Sequence, residues 1–259
     1  MIVSLSCTGN TLWAARRAAE MLGEPLIDIT RCDPSSAPLR LAKGERLGFC
    51  FPVHGWRPPL LFRQWLHSAH FMFEETPYVW ALCTAGDNIG ETMRLLAADL
   101  QPHELELRAA GSLIMPESYV GLPFMDVDPP ERERMKKETA AQRLEQFLIY
   151  IKRYERAWML TEGQWPRLNT RLLGGFFLRH LITDKPFRVS AEACLRCGKC
   201  AQVCPVHNIE FKSGELPEWR HTDCCLACFA CYHHCPARAI EYGRRTRGKG
   251  QYFYEKTKG

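Results

Sequence analysis

Thirteen cysteines stand in this 259-residue chain, and eight of them follow one rule. Cys194, Cys197, Cys200 and Cys204, followed by Pro205, spell C-x2-C-x2-C-x3-C-P; Cys225, Cys228, Cys231 and Cys235, followed by Pro236, spell it again. Thiolate is a soft ligand that suits iron and zinc. A three-residue step on a tight turn lets successive thiolates face one cubane. Where the run occurs twice, its fourth cysteine serves the other cluster. The spacing predicts two [4Fe-4S] clusters, one on Cys194, Cys197, Cys200 and Cys235, the other on Cys225, Cys228, Cys231 and Cys204. Zinc is the rival metal, although zinc sites usually close with separated C-x2-C pairs. A disulfide framework fits less well, because nothing at the N-terminus reads as a secretory signal. Cys224 falls outside the frame. Adjacent side chains point apart, so it is expected to be a spare thiol, at most hydrogen-bonded toward a cluster.

A second constellation lies at the other end. Ser6-Cys7-Thr8-Gly9-Asn10-Thr11 follows an apolar stretch and opens a helical pattern. It has neither a Walker lysine nor G-x-G-x-x-G. Hydroxyls and an amide around one glycine suit a phosphate monoester: free N–H groups and the helix dipole favour the anion. Ser6, Thr8, Asn10 and Thr11 add donors, and Gly9 permits close approach. An ordinary N-capped helix after a strand is the alternative reading. Two more loops bear on the choice: Pro52-Val53-His54-Gly55-Trp56, and Thr84-Ala85-Gly86-Asp87-Asn88-Ile89-Gly90. In doubly wound sheets, ligands sit at the C-terminal ends of the strands beside the switch point. All three loops fall where a flavin mononucleotide (FMN) needs them. Trp56 offers a stacking plate or a cover for the sheet edge, and His54 a proton donor or a solvent-facing group. Cys7 reads as a turn residue, Cys50 and Cys83 as core.

The elements that must position these residues alternate. Strands are expected at 2–6, 25–29, 46–53, 77–84 and 105–115, and helices at 11–22, 59–71, 88–100 and 129–158. The first helix would bury Leu12, Ala15, Ala19 and Leu22. The runs at 46–53 and 77–84 are almost continuously apolar, as in central parallel strands covered on both faces. The pattern predicts an α/β class: a doubly wound parallel five-stranded sheet, followed by a small α+β domain carrying the clusters. The expected divisions are 1–160, a docking segment at 161–184, the cluster domain at 185–243, and a basic tail at 244–259. The 165–182 stretch is expected to dock one domain on the other, a membrane-surface role being the lesser reading. RRTRGKG at 244–250 is expected to be a solvated end. His207, His233 and His234 are expected at the surface or behind the cluster ligands.

Charge divides unevenly. Residues 1–160 hold 18 Lys and Arg against 20 Asp and Glu; residues 161–259 hold 16 against 9, a balance of +7. That excess invites a nucleic-acid reading. However, an oxidised cubane with its thiolates carries about −2, so two clusters lower the balance to about +3. No nucleic-acid partner is expected. No apolar run is long enough for a membrane span, and the compartment expected is a reducing cytoplasm.

The S-x-T-G-N-T turn of residues 6–11, with the loops at 52–56 and 84–90, resembles the flavodoxin family. The paired cysteine runs resemble bacterial ferredoxins. Together, over nearly the whole chain, they resemble flavodoxin–ferredoxin fusion proteins of anaerobic bacteria. The resemblance implies that Ser6, Thr8, Asn10 and Thr11 hold the phosphate and that 52–56 and 84–90 flank the isoalloxazine. It also implies that Met115-Pro116-Glu117-Ser118-Tyr119 lies near the flavin. The chain departs from flavodoxins at 30–45, where two prolines replace the usual helix and an irregular crossover is expected. The function expected is electron transfer among the clusters, FMN and redox partner proteins or a small-molecule acceptor, with no catalytic side chain required. The alternatives are an FMN-dependent reductase of a small organic substrate, and a ferredoxin with an empty flavodoxin-like interaction module.

Overall fold

The computed structural model describes residues 1–33 and 37–255. Its centre is a parallel sheet built of β1 (Ile2–Ser4), β2 (Leu26–Asp28), β4 (Arg46–Pro52), β6 (Tyr78–Ala85), β7 (Leu107–Ile114) and β8 (Ala157–Met159), in the order β2-β1-β4-β6-β7-β8. The sheet has six strands where the sequence predicted five. The extra strand comes from the expected 129–158 helix. That helix, α4 (Pro130–Lys152), stops because Tyr154 adopts a left-handed backbone, and the chain then extends so that Ala157 pairs with Ala109. A second departure lies in the irregular crossover. Leu39–Leu41 forms β3, which pairs in parallel with β5 (Phe71–Phe73), the end of the predicted 59–71 helix. Pro34, in the same crossover, lies outside the described residues.

Helices cover both faces, so the central strands can be apolar throughout. On one face, α2 (Leu60–Ser68) and α3 (Thr92–Leu100) bury Phe62, Leu66, Met93 and Leu96 against Phe49, Phe51 and Ala81. On the other, α1 (Asn10–Leu22) and α4 bury Ala14, Ala18, Leu144 and Phe147 against Ile2, Trp80 and Leu113. Each such large side chain contributes roughly 1.5–3 kcal/mol. The buried stripe of α1 is Thr11, Ala14, Ala15, Ala18 and Leu22; Leu12 and Ala19 lie on its border instead of at its centre. Small alanines let α1 approach the sheet closely, which brings the 6–11 turn over the strand ends.

After β8 the chain forms a continuous helical segment: α5 (Pro166–Leu168), a π-helical turn (Asn169–Leu173) and α6 (Gly174–His180). It hydrogen-bonds to the loops above the sheet. Arg57 Nε donates to the Thr170 carbonyl at 2.9 Å, and Glu91 N donates to Thr170 Oγ1 at 2.8 Å. A third core follows, in which Phe187, Phe229, Tyr232, Ile240 and Tyr242 pack with Val120. Two short antiparallel pairs frame it: β9 (Phe187–Val189) with β12 (Ile240–Tyr242), and β10 (Ile209–Glu210) with β11 (Glu218–Trp219).

The tail overturns the expectation of a solvated end. Arg244, Arg245 and Arg247 are exposed, but Thr246 is buried and Lys249 donates to the carbonyls of Val120 (3.0 Å) and Met125 (2.6 Å). The chain then returns to the first helix. Tyr254 N donates to the Thr8 carbonyl at 2.9 Å, and the Tyr254 ring stacks on Trp13 at 5.2 Å.

Candidate cofactor sites

The two cysteine runs, 31 residues apart, repeat the same backbone bends. Arg196 and Ala227, Gly198 and Phe229, and His207 and Arg238 are matched pairs, all in left-handed backbone conformations. That repeated bend turns amides onto sulfur. Arg196 N donates to Cys194 Sγ and Ala227 N to Cys225 Sγ, both at 3.4 Å. Asn208 N donates to Cys204 Sγ and Ala239 N to Cys235 Sγ, both at 3.3 Å. N–H···S bonds of this kind stabilise thiolate charge and tune cluster potentials.

A small cavity of about 20 Å³ is lined by Cys194, Cys197 and Cys200 from the first run and Cys235 from the second. In the other group, the Cys225 and Cys204 thiols lie within electrostatic reach of Cys228 and of each other. Burial, helped by Cys228 and Cys204, pushes the Cys225 thiol up to about 12. Burial likewise pushes Cys200 to about 11, with Cys235 and Cys194 adding to it. Among the described residues, no three Cys, His, Asp or Glu are placed to hold a single metal ion. A cubane spreads its four thiolates over four irons, so its ligands stand farther apart than those of one ion.

Cys224 is exposed and reaches Asn208 Oδ1 at 3.3 Å, not a run cysteine. Asn208 Nδ2 in turn donates to Asp184 Oδ2 at 2.6 Å, and His221 Nδ1 lies 2.8 Å from Asp184 Oδ1. Burial raises the Asp184 carboxyl, but its bonds to His221 and Asn208 outweigh that and hold it below the usual value. His207 is exposed, as expected. His233 is not: it is fully buried, accepts from Tyr252 N at Nδ1 (3.1 Å) and donates through Nε2 to the Ser118 carbonyl (2.6 Å). The neighbouring His234 is half-buried and stacks on Phe253.

At the C-terminal ends of the strands lies a cavity of about 540 Å³. Ser6, Thr8, Asn10, Thr11, Pro52, Val53, His54, Gly55, Trp56, Thr84, Ala85, Gly86, Asp87 and Asn88 all line it. Gly9 and Gly90 do not. A Cβ on Gly9 would meet Tyr254 at 2.9 Å, and one on Gly90 would meet Thr170 Oγ1 at 2.4 Å.

The start of α1 presents unanswered donors. The amides of Thr8, Gly9, Asn10 and Thr11 donate to no protein acceptor among the described residues, while Leu12 N is held by Ser6 Oγ at 3.1 Å. Unpaired N–H groups at the start of a 13-residue helix fit an anion. The side chains are more engaged than the sequence implied. Asn10 donates to the Pro116 carbonyl (3.0 Å) and accepts from the Tyr252 hydroxyl (2.6 Å). Thr11 pairs with Thr84 at 2.7 Å, and Thr8 with Ser118 at 3.2 Å.

Tertiary structure adds walls that the motifs did not announce: Leu122, Phe124, Met125, Phe177, and Leu226, Ala227 and Cys228 of the second cysteine run. Cys7 also lines the cavity beside Cys228, and the nearby Cys7 thiol, followed by burial, raises the Cys228 thiol well above its ordinary value. Glu117 Oε1 accepts from Ser118 N (2.9 Å) and Tyr119 N (2.8 Å), yet burial outweighs those bonds and raises its carboxyl. His54 Nδ1 is shut off from solvent and has no hydrogen-bond partner among the described residues, and burial lowers that imidazole to about 4. The cavity thus combines an anion cradle, aromatic and aliphatic walls, a neutral imidazole and a reluctant carboxyl.

Residues 187–236 match the family model described as a 4Fe-4S dicluster domain. Iron–sulfur cluster binding and an electron-transfer role follow for this part of the chain. No curated protein matches. Among solved structures, the chain is similar to a Trp repressor binding protein from Bacillus subtilis, at 11% identity over 60% of this chain and 97% of that one. The TM-score is 0.30, too loose a superposition to inform the fold. Among the described residues, no helix is long and apolar enough to cross a membrane.

Proposed function

We propose that this chain is an iron–sulfur flavoprotein that moves electrons between two [4Fe-4S] clusters and FMN. One cluster is held by Cys194, Cys197, Cys200 and Cys235, the other by Cys225, Cys228, Cys231 and Cys204. The strand order, with β8 as an added edge, agrees with the flavodoxin-like doubly wound order. The division into an FMN domain (1–160), a docking segment (161–184), a ferredoxin domain (185–243) and a C-terminal tail (244–259) belongs to this reading.

One observation carries it: a single cavity is walled by the 6–11 turn on one side and by Cys228 on the other. The amides of residues 8–11 would hold the phosphate, and Trp56 and Tyr119, which both line the cavity, would hold the ring. Glu117 and the 84–88 backbone would supply polar partners to it. When bound, FMN would supply one- or two-electron chemistry there, and each cluster one-electron chemistry. Redox partner proteins are the expected donors and acceptors.

The test is a cofactor inventory of protein purified without oxygen: about eight irons and eight sulfides per chain, and one acid-releasable FMN. Clusters without flavin, even after incubation with excess FMN, would refute the flavin half. An FMN-dependent reduction of a small organic molecule is the second reading. Leu122, Phe124 and Met125 favour it, because they wall the cavity from the loop after β7. Two-electron consumption of an added organic acceptor by the reduced protein, at a rate above that with carrier proteins, would select it.

A further inference from the structure

The helical segment Pro166–His180 has two faces, and the cofactor sites account for one. Inward, Thr170 is bonded to Glu91, Trp56 and Arg57, and Phe177 lines the cavity. Gly174 lies so close to the Gly55 carbonyl that a Cβ there would sit 2.3 Å from it. Outward, Trp165, Leu168, Leu172 and Phe176 are 73, 48, 63 and 58% exposed. Leu168, Leu172 and Phe176 recur every four residues, Trp165 stands just ahead of the helix, and half-exposed Leu173 lies beside them. The Phe176 ring meets His180 of its own helix, 4.8 Å away, and among the described residues no other ring covers it.

Cations flank this stripe. Arg167, Arg171 and Arg179 are exposed, and residues 163–183 contain no Asp or Glu. Arg167 and Arg171 lean on Glu91 at 3.8 and 3.1 Å; Arg179 forms no ion pair among the described residues. An apolar stripe bearing Trp, Leu and Phe, bordered by arginines, has the composition of a helix that lies in a membrane interface. Its positive rim complements anionic headgroups. A protein partner would have to offer both an apolar groove and an acidic rim; a bilayer surface offers both without specific shape.

We propose that the outward face of residues 165–180 binds the surface of anionic lipid bilayers, without spanning them, and holds the cavity beside the lipid. The proposal stands whether or not the cavity takes FMN. The test uses the full chain with its clusters, kept anaerobic, and sedimentation with vesicles of phosphatidylcholine alone or of equal parts phosphatidylcholine and phosphatidylglycerol. Binding to the mixed vesicles, weakened by salt, is expected. Leu172→Ser with Phe176→Ser should abolish it while the cluster absorbance stays intact. Arg179→Gln, which touches no packing, should weaken it about fivefold. No binding to the mixed vesicles would overturn the proposal, as would binding indifferent to both variants. So would a dimer in sedimentation equilibrium that only the Leu172/Phe176 variant breaks, since the face would then belong to a second copy of the chain.

Discussion

Cys228 stands at the meeting of two sites: it belongs to the second cysteine run, and it lines the cavity beside Cys7. The proposed crossed ligation makes a direct prediction for its neighbours. Cys235→Ser should remove the same cluster signal as Cys197→Ser, each leaving about half the iron. Cys231→Ser should remove the other signal. Paramagnetic resonance of the reduced variants reads the pairing, and a Cys235→Ser spectrum matching Cys231→Ser would contradict it. His54 is testable by proton titration. Its imidazole resonances should move with a midpoint of about 4, well below the ordinary value of 6.5. The sign follows from burial: the folded chain refuses a proton that the unfolded chain accepts. The His54 contribution to stability is therefore full above pH 6.5 and falls progressively as pH drops toward 4. A midpoint near 6.5 would mean that the ring is solvated.

At the scale of elements, the C-terminal strap ties three parts of the molecule together. Gln251 Nε2 donates to the carbonyls of Tyr232 (2.7 Å) and Cys235 (2.9 Å), Tyr252 reaches both His233 and Asn10, and Tyr254 covers the 6–11 turn. Lys137 lies 4.7 Å from the Tyr254 ring centre and 5.2 Å from that of Tyr252. Tyr252→Phe removes the hydroxyl that holds Asn10 and should destabilise by about 0.5–1.5 kcal/mol, read as a lowered denaturant midpoint. Gly9→Ala should cost more, on the order of 1–2 kcal/mol from its left-handed backbone alone, because the new methyl also meets Tyr254. If either variant melts like the parent, the strap is not fixing the turn.

Across the whole molecule, three cores share two kinds of stability. The cores on either face of the sheet are hydrocarbon packing, whereas the third includes Cys200 and Cys231 and packs against Cys204, Cys225 and Cys235. Removing iron with a chelator should therefore raise hydrogen exchange in 187–242 well before it does in the sheet strands. Uniform deprotection would show one cooperative unit instead. The sequence by itself determined the cysteine frame, because a cubane demands thiolates at fixed short spacing. It also determined the alternating α/β pattern, because strands covered on both faces must be apolar throughout. The loops at 6–11, 52–56 and 84–88 were legible for the same reason: they end strands whose order the fold class limits. The sixth strand was not legible, since its formation turns on one backbone bend at Tyr154. Nor were the strap, the burial of His233 or the contact of Cys7 with Cys228. Each of these includes a meeting of residues more than a hundred positions apart, such as Tyr252 with Asn10, His233 with Ser118 and Cys7 with Cys228, and no local periodicity encodes such a meeting; only the packing of one folded surface on another decides it.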